Sequence, residues 1–170
     1  MLYKFLLVLA KIILRCIFRI KIEGRENIPE SGGMILAVNH RSNWDVLFAG
    51  IGCTRPLRFM AKSELFKNKV FGALITNLGA FPVHRGRGDV GAIKSALSIL
   101  KNDNVMLMFP EGHRVKDGSH PKPKLGVAMI AVHAKVPVVP LCISGEYKFM
   151  RMITVKFGEA IYFDDYYGTK

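Results

Sequence analysis

The 170-residue chain is predicted to be a single α/β domain with a largely parallel central sheet, flanked by helices and preceded by an amphipathic N-terminal helix. Short apolar runs, typical of buried strands, alternate with longer segments of helical periodicity along the chain. The hydrophobic content of 50% is sufficient, at this length, for one sizeable core. No linker, low-complexity stretch or internal repeat divides the sequence. We therefore expect residues 1–20 to form the helix and residues 21–170 to form the domain.

The first twenty residues predict a helix that lies in a membrane surface. Apolar residues dominate this segment, but basic residues interrupt them, so no uncharged run reaches the roughly 18–20 residues of a membrane span. At about 100° per residue, these charges fall within an arc of roughly 80° on one helical face: Lys4, Lys11, Arg15 and Arg19. The rest of the helix circumference is apolar, and this face is wider than packing on a core requires. The pattern therefore favours contact with anionic phospholipid. Packing on the protein's own core and a signal peptide are the alternatives.

The other elements follow from changes in periodicity along the chain. Strands are predicted where short apolar or alternating runs lie between turn-forming residues, at 20–23, 34–38, 57–60, 80–83, 105–109, 136–143 and 153–157. Helices are predicted at 43–51, within 63–78, from Asp89 to Lys101 and at 125–134. Because helices separate most of the strands, crossover connections and a largely parallel sheet are expected.

A histidine and an aspartate follow the predicted strand 34–38, within the segment 39–45 (NHRSNWD). Ser42, three positions before Asp45, resembles a capping box that opens a helix. Residues five apart on one continuous helix differ by about 140°, whereas a strand-to-helix turn lets His40 and Asp45 meet. The pair is then a candidate general base with its orienting carboxylate. The alternative is structural: Asp45 returns a hydrogen bond to the Ser42 backbone while His40 faces solvent.

Further polar residues follow other predicted strands, where ligands bind in open α/β sheets. In the segment 109–114 (FPEGHR), Arg114 offers a planar fork for a phosphate, Glu111 can accept a proton or position Arg114, and Gly112 allows a ligand to approach closely. Arg85 follows the strand 80–83, and Lys124 precedes a helix whose N-terminus favours anions. Ordinary turns with solvated side chains are the alternative interpretation.

Composition narrows the class of partner. The net charge of +12 predicts attraction to anionic partners. Aromatic residues lie mostly inside apolar runs and do not alternate with arginines, so nucleic acid is not a predicted partner. Three cysteines without C-x-x-C spacing predict a reduced, cytoplasmic setting and no disulfide framework.

Two motifs indicate competing kinds of site. Residues 86–91 (GRGDVG) match the dinucleotide fingerprint G-x-G-x-x-G, but the preceding segment contains Pro82 and about half the chain lies before it. Glu111, His113 and His120 are close in sequence, yet their spacing matches no zinc pattern, so no metal site is predicted. A dinucleotide-binding protein, or a non-catalytic protein of the membrane surface, is therefore the alternative function class.

Taken together, these segments resemble the glycerolipid acyltransferase family, most closely its bacterial lysophosphatidic acid acyltransferases. His40 and Asp45 match the family's H-x4-D motif, and Lys124 with Gly126 resembles its lysine-x-glycine element. Three further blocks match in content and order: a second block ending in Arg, an F-P-E-G-x-R block and a V-P-hydrophobic-hydrophobic-P block, at 81–85, 109–114 and 136–140. The resemblance covers nearly the whole chain from about Ile20.

The resemblance implies transfer of an acyl chain from a thioester of coenzyme A or acyl carrier protein to the free hydroxyl of lysophosphatidic acid, giving phosphatidic acid in phospholipid biosynthesis. His40 would be the general base and Asp45 its orienting carboxylate. The glycerol phosphate of the acceptor would be bound by Arg85, Glu111, Gly112, Arg114 and Lys124.

No permanently bound cofactor is implied, and the expected location is the cytoplasmic face of the cell membrane, as a peripheral or monotopic protein. His113 stands where the family commonly has threonine. Another lysolipid acceptor, such as the precursor of an ornithine lipid, is therefore the alternative within the same family.

Overall fold

The computed structural model describes residues 2–83, 90–115, 119 and 121–167, and it confirms an α/β domain built on a seven-stranded sheet. The helices are α1 (Leu2–Ile17), α2 (Trp44–Gly52), α3 (Lys69–Asn77), α4 (Val90–Lys101) and α5 (Gly126–Ala134). The strands are β1 (Arg19–Glu23), β2 (Met34–Val38), β3 (Leu57–Lys62), β4 (Ala80–Val83), β5 (Val105–Met108), β6 (Val138–Gly145) and β7 (Met152–Phe157). Short 3-10 helices lie at Arg25–Asn27, Ser63–Phe66 and Asp164–Tyr166.

The sheet is mostly parallel, as predicted, with the order β1-β7-β6-β2-β5-β3-β4. Among the seven strands of the described residues, β6 and β7 are the one neighbouring pair that runs antiparallel, and a short connection joins them. The strands β2 to β6 therefore run in the same direction, with β2 in the middle of the sheet between β5 and β6. Their carboxyl ends share one edge, which is where ligand sites form in open α/β sheets.

Alternating side chains of the central strands divide the core into two layers. Met34, Leu36 and Val38 of β2 join the cluster on the face covered by α1 and α2. Ile35 of the same strand joins the opposite cluster, with residues of α4 and α5. Helices therefore cover both faces of the sheet, which explains why the strands read as continuous apolar runs.

The N-terminal helix ends at Ile17, three residues before the predicted boundary. Arg19, which was predicted on the basic face of the helix, is instead the first residue of β1 and pairs with Met152. The backbone of β1 pairs with β7, and the alternating sequence of β1 favours a strand. The helix therefore does not continue through these residues. Lys4, Lys11 and Arg15 remain on the helix, within an arc of about 40°.

The helix α1 packs on the domain along only part of its circumference. Leu14 is fully buried, and the Tyr3 hydroxyl accepts a hydrogen bond from the Leu57 backbone at 3.0 Å. A different arc of about 140° holds large apolar side chains that remain exposed: Leu2, Phe5, Val8, Leu9, Ile12 and Ile13. Among the residues that the structure describes, no helix combines the length and apolarity needed to cross a bilayer.

The three cysteines are unpaired in the structure. Cys53 directly follows α2 and is buried, and burial raises the pKa of its thiol. Cys16 and Cys142 are exposed.

Candidate active site

The candidate site lies where β2, β5 and β6 end side by side. His40 and Asp45 follow β2, Glu111 and Arg114 follow β5, and Tyr147 follows β6. These residues are up to 107 positions apart along the chain, from His40 to Tyr147. The parallel order of the three strands is what brings them together.

His40 and Asp45 meet across the strand-to-helix turn. The Nδ1 atom of His40 lies 3.0 Å from Oδ2 of Asp45, and the exposed fractions of the two side chains are 13% and 0%. A carboxylate without access to water retains its charge only if donors surround it. With the imidazole proton on Nδ1, the other ring nitrogen, Nε2, is the basic atom of the pair.

The capping contact and the His–Asp contact coexist on the same oxygen. Oδ2 of Asp45 also accepts hydrogen bonds from the backbone N–H groups of Arg41 and Ser42, each at 2.7 Å. The bond from Ser42 is one half of the predicted capping box. The other half is absent, because the Ser42 hydroxyl accepts from the Trp44 N–H at 3.3 Å and not from that of Asp45. The two interpretations of this turn were therefore not exclusive.

The turn after β5 holds His40 from the opposite side. Oε2 of Glu111 accepts a hydrogen bond from the His40 backbone N–H at 2.8 Å, and the Val115 N–H donates to the His40 carbonyl at 2.8 Å. The ring of Phe109 stacks on the imidazole, with centroids 3.7 Å apart and planes 17° apart. Glu111 was predicted to bind substrate, and here it fixes the backbone of the candidate base.

Gly112 and Lys124 lie against each other in the same turn. Gly112 has a φ of +74°, and a Cβ atom at this position would lie 2.8 Å from Nζ of Lys124. The Lys124 backbone N–H donates to the Pro110 carbonyl at 2.8 Å. Glycine therefore leaves the space that the lysine side chain occupies beside the site.

Two guanidinium groups border a pocket of about 380 Å³ beside the pair. Arg114 donates from Nη1 to the Asn43 side-chain oxygen at 3.3 Å, and Arg41 donates from Nη1 to the Gly145 carbonyl at 3.0 Å. Both arginines are exposed, so their remaining donors face solvent. The pocket is lined by Arg41, Ser42, Asn43, Trp44, Arg114, Val115 and Tyr147. Its charge suits an anionic ligand.

Trp44 also lines a second, apolar groove of about 230 Å³. The groove runs between α1, α2 and α3 and is lined otherwise by aliphatic side chains: Leu6, Leu9, Ala10, Ile13, Leu14, Leu47, Leu74 and Leu78. A polar pocket and an apolar groove thus share one wall residue, an arrangement that suits an amphipathic ligand.

Tyr147 is the main site residue that the sequence did not indicate. Its hydroxyl donates a short hydrogen bond to Oδ1 of Asp45. Burial, followed by the contact with Asp45, raises the pKa of Tyr147 well above the usual range, so the hydroxyl keeps its proton. The position of Tyr147 just after β6 was the available signal, since the same rule had selected the residues after β2 and β5.

The remaining sequence candidates are less closely connected with this site. Arg85 lies outside the described residues, and the strand before it, β4, is separated from β2 by β5 and β3. Gly86 and Gly88 of the dinucleotide fingerprint are also outside them. The strand β4 is at the edge of the sheet, whereas the first strand of a dinucleotide fold is central. Within the described ranges, no three His, Cys, Asp or Glu side chains form a cluster that could hold a metal ion.

The chain is similar in sequence to a family of known proteins. The model of the Acyltransferase family matches residues 19–144. The 1-acyl-sn-glycerol-3-phosphate acyltransferase of Bacillus subtilis is 34% identical over 144 residues, which cover 84% of this chain and 71% of that protein. The protein of the same description from Streptococcus pneumoniae is 35% identical, over 82% of this chain and 54% of its own length. The chain therefore spans about half of that second relative.

A solved structure shares the fold. The crystal structure of the 1-acyl-sn-glycerophosphate (LPA) acyltransferase PlsC from Thermotoga maritima aligns with a TM-score of 0.76 and 28% identity. The alignment covers 94% of this chain and 68% of the other. The seven-stranded architecture is therefore shared with a known protein as well as predicted from the sequence.

We expect Tyr147→Phe to make the protein less sensitive to alkaline pH. An unfolded tyrosine loses its proton above about pH 10, while the folded Tyr147 retains it because its pKa is raised. The wild-type free energy of unfolding should therefore fall as pH rises above about 10, with a contribution from Tyr147 of up to about 1.4 kcal/mol per pH unit. Urea denaturation between about pH 8 and pH 11.5 measures this, and in the variant the slope should be smaller.

Tyr162→Phe is the matched control, because its ring is exposed and the same atom is removed. Its slope above about pH 10 should be close to that of the wild type. If the free energy of unfolding of Tyr147→Phe instead fell with pH as steeply as that of the wild type, the inference that the pKa of Tyr147 is raised would be wrong.

Proposed function

The chain belongs to the Acyltransferase family, and we propose that it transfers a fatty acyl group from an acyl thioester to the free hydroxyl of lysophosphatidic acid, giving phosphatidic acid. The observation that supports this most directly is the His40–Asp45 pair, 3.0 Å apart beside a pocket with two arginines. Names of the relatives support the acceptor class. This arrangement supports the proposal because it would place a base next to a surface that attracts anions.

In the proposed reaction, Nε2 of His40 takes the proton of the acceptor hydroxyl as its oxygen attacks the thioester carbonyl carbon. The resulting tetrahedral intermediate collapses as the carbon–sulfur bond breaks, and the imidazolium returns the proton to the leaving thiolate. Asp45 holds the proton-bearing Nδ1 and stabilises the imidazolium while it exists. The step is balanced without a covalent acyl-enzyme, and no bound cofactor or metal takes part.

The acceptor phosphate is proposed to lie between the exposed guanidinium of Arg114 and the ammonium of Lys124. Arg41 supplies further positive charge on the other side of the pocket. Glu111 contributes by fixing the His40 backbone, and Gly112 by leaving room for Lys124. Arg85 remains a proposed phosphate ligand on the basis of the family motif alone.

The acyl chain is proposed to occupy the apolar groove that adjoins Trp44. Its aliphatic lining matches a hydrocarbon chain, and its position would place the thioester carbonyl near the polar pocket. Coenzyme A and acyl carrier protein remain the two candidate carriers of the thioester.

Contact with the membrane is proposed for the N-terminal segment, residues 1–20. The exposed apolar arc of α1 would enter the acyl boundary of an anionic membrane at its cytoplasmic face. Lys4, Lys11 and Arg15 lie along one border of that arc, where they can reach phospholipid head groups. The groove shares Leu9 and Ile13 with the arc, so its opening would lie beside the lipid substrate.

We expect His40→Ala and Asp45→Ala each to reduce phosphatidic acid formation by orders of magnitude, since one removes the base and the other its orienting partner. The measurement is kcat with purified protein, lysophosphatidic acid and a long-chain acyl thioester. His133→Ala, at an exposed position on α5, is the control and should retain wild-type turnover. Undiminished turnover in His40→Ala would exclude the mechanism.

Arg114→Ala should mainly raise the KM for lysophosphatidic acid, because it removes a charged donor from the bound acceptor. A charge-assisted hydrogen bond of about 1.5–3 kcal/mol corresponds to roughly a ten- to hundredfold effect. Arg151→Ala changes an exposed arginine that does not line the pocket and is the control. A change confined to the KM of the acyl donor would contradict the proposed role of Arg114 in binding the acceptor phosphate. The same role would be contradicted if the wild type preferred the phosphate-free precursor of an ornithine lipid over lysophosphatidic acid.

The double variant Phe5→Ser, Ile12→Ser should weaken binding to vesicles that contain phosphatidylglycerol. Each substitution removes an apolar side chain worth about 1.5–3 kcal/mol when buried, so the partition coefficient should fall at least about tenfold. Sedimentation with vesicles measures it. Val90→Ser changes an exposed apolar residue on α4, over the opposite face of the sheet, and should bind as wild type does. Equal sedimentation of all three proteins would overturn the proposed role of α1.

A further inference from the structure

We propose that Tyr147 is a positioning residue for the acyl transfer, holding the Asp45 carboxylate so that Oδ2 faces the imidazole of His40. This inference rests on the proposed function, in which Asp45 orients the general base. Tyr147 lies 102 residues after Asp45 and belongs to none of the sequence blocks described above.

The two oxygens of Asp45 have different surroundings. Oδ2 accepts from His40 and from two backbone N–H groups, and these contacts all come from the turn after β2. Oδ1 accepts from Tyr147, and among the described residues no other side chain donates to it. Since Asp45 is fully buried, an Oδ1 without a donor would carry the desolvation cost of an unpaired charged oxygen. The hydroxyl of Tyr147 removes that cost.

The loss of this donor would have a specific consequence for the histidine. A buried carboxylate with one unpaired oxygen can rotate towards other donors or take up a proton. Rotation would move Oδ2 away from Nδ1 of His40, and protonation would remove the negative charge that stabilises the imidazolium. Either change weakens the base, whereas the ring of Tyr147 and the guanidinium groups that line the pocket remain.

The ring of Tyr147 is held in place from several directions. It stacks on Phe48 with centroids 6.0 Å apart and meets Phe18 edge-on at 6.3 Å. The guanidinium of Arg41 lies over the ring, 5.6 Å from its centroid. Phe18 is almost fully buried and also contacts Trp44 at 6.0 Å. The hydroxyl is therefore carried by a packed aromatic cluster, although it belongs to a connecting loop.

The backbone just before Tyr147 has a conformation that requires glycine. Gly145, the last residue of β6, has a φ of +112°, and a Cβ atom here would lie 2.2 Å from the Met152 carbonyl oxygen. Glycine is thus required where the chain leaves β6 beside β7. The Arg41 side chain donates to the Gly145 carbonyl. This hydrogen bond connects the end of β6 with the turn that contains His40.

The test is Tyr147→Phe, which retains the ring and removes only the hydroxyl. We expect kcat to fall by about tenfold or more, because Asp45 then holds Nδ1 of His40 less firmly and stabilises the imidazolium less. The KM values of both substrates should change little. Tyr162→Phe is the control for the same chemical change at an exposed site and should leave kcat unchanged.

A double-mutant cycle distinguishes positioning from a general structural role. If Tyr147 acts through Asp45, adding Tyr147→Phe to Asp45→Ala should cause little further loss of kcat, measured in single turnovers at high enzyme concentration. A structural role would give similar fold-losses in both backgrounds. Equal losses, or a normal kcat in Tyr147→Phe alone, would overturn the proposal while leaving the acyltransferase assignment intact. A wild type without acyl transfer from either thioester would instead overturn the proposed function, and the role of Tyr147 with it.

Discussion

The burial of one carboxylate is the constraint on which the rest of this site depends. Asp45 is fully inaccessible to water, and its charge is compensated by donors from two backbone N–H groups, an imidazole and a phenol. An unpaired charge at this depth would cost several kcal/mol, so the surrounding turn has little freedom to rearrange. The same interactions that stabilise the start of α2 therefore also orient the histidine. Stability and the proposed catalysis share one set of hydrogen bonds.

The topology of the sheet supplies those donors from distant parts of the chain. The central position of β2 places its carboxyl end between those of β5 and β6. From one side, the turn after β5 fixes His40 through Glu111 and the stacked ring of Phe109. From the other side, the loop after β6 brings Tyr147 to Asp45. The antiparallel pairing of β6 with β7 matters here because it makes that loop short and holds it beside the carboxyl end of β6.

The substrate proposed for this chain is amphipathic, and a polar pocket and an apolar groove adjoin at Trp44. On one side of this residue lie the arginines of the polar pocket, and on the other the aliphatic groove beneath α1. The helix packs through Leu14 and Tyr3 but leaves a broad apolar arc uncovered. The same helix thus forms a wall of the groove and the surface proposed to meet the membrane. The pockets proposed for the phosphate and for the acyl chain therefore adjoin at Trp44.

The sequence by itself determined the α/β class and the approximate place of each strand, and it indicated that a turn would let His40 and Asp45 meet, because periodicity and turn chemistry are local properties. It also determined the strand ends that carry Glu111, Gly112 and Arg114. Only the tertiary structure decided that α1 ends before Arg19, since pairing of β1 with a strand more than a hundred residues later outweighs local helical periodicity. The contact between Tyr147 and Asp45 was likewise decided by the tertiary structure: the position of Tyr147 after a strand is local, but which strand ends are neighbours depends on the packing of the whole sheet.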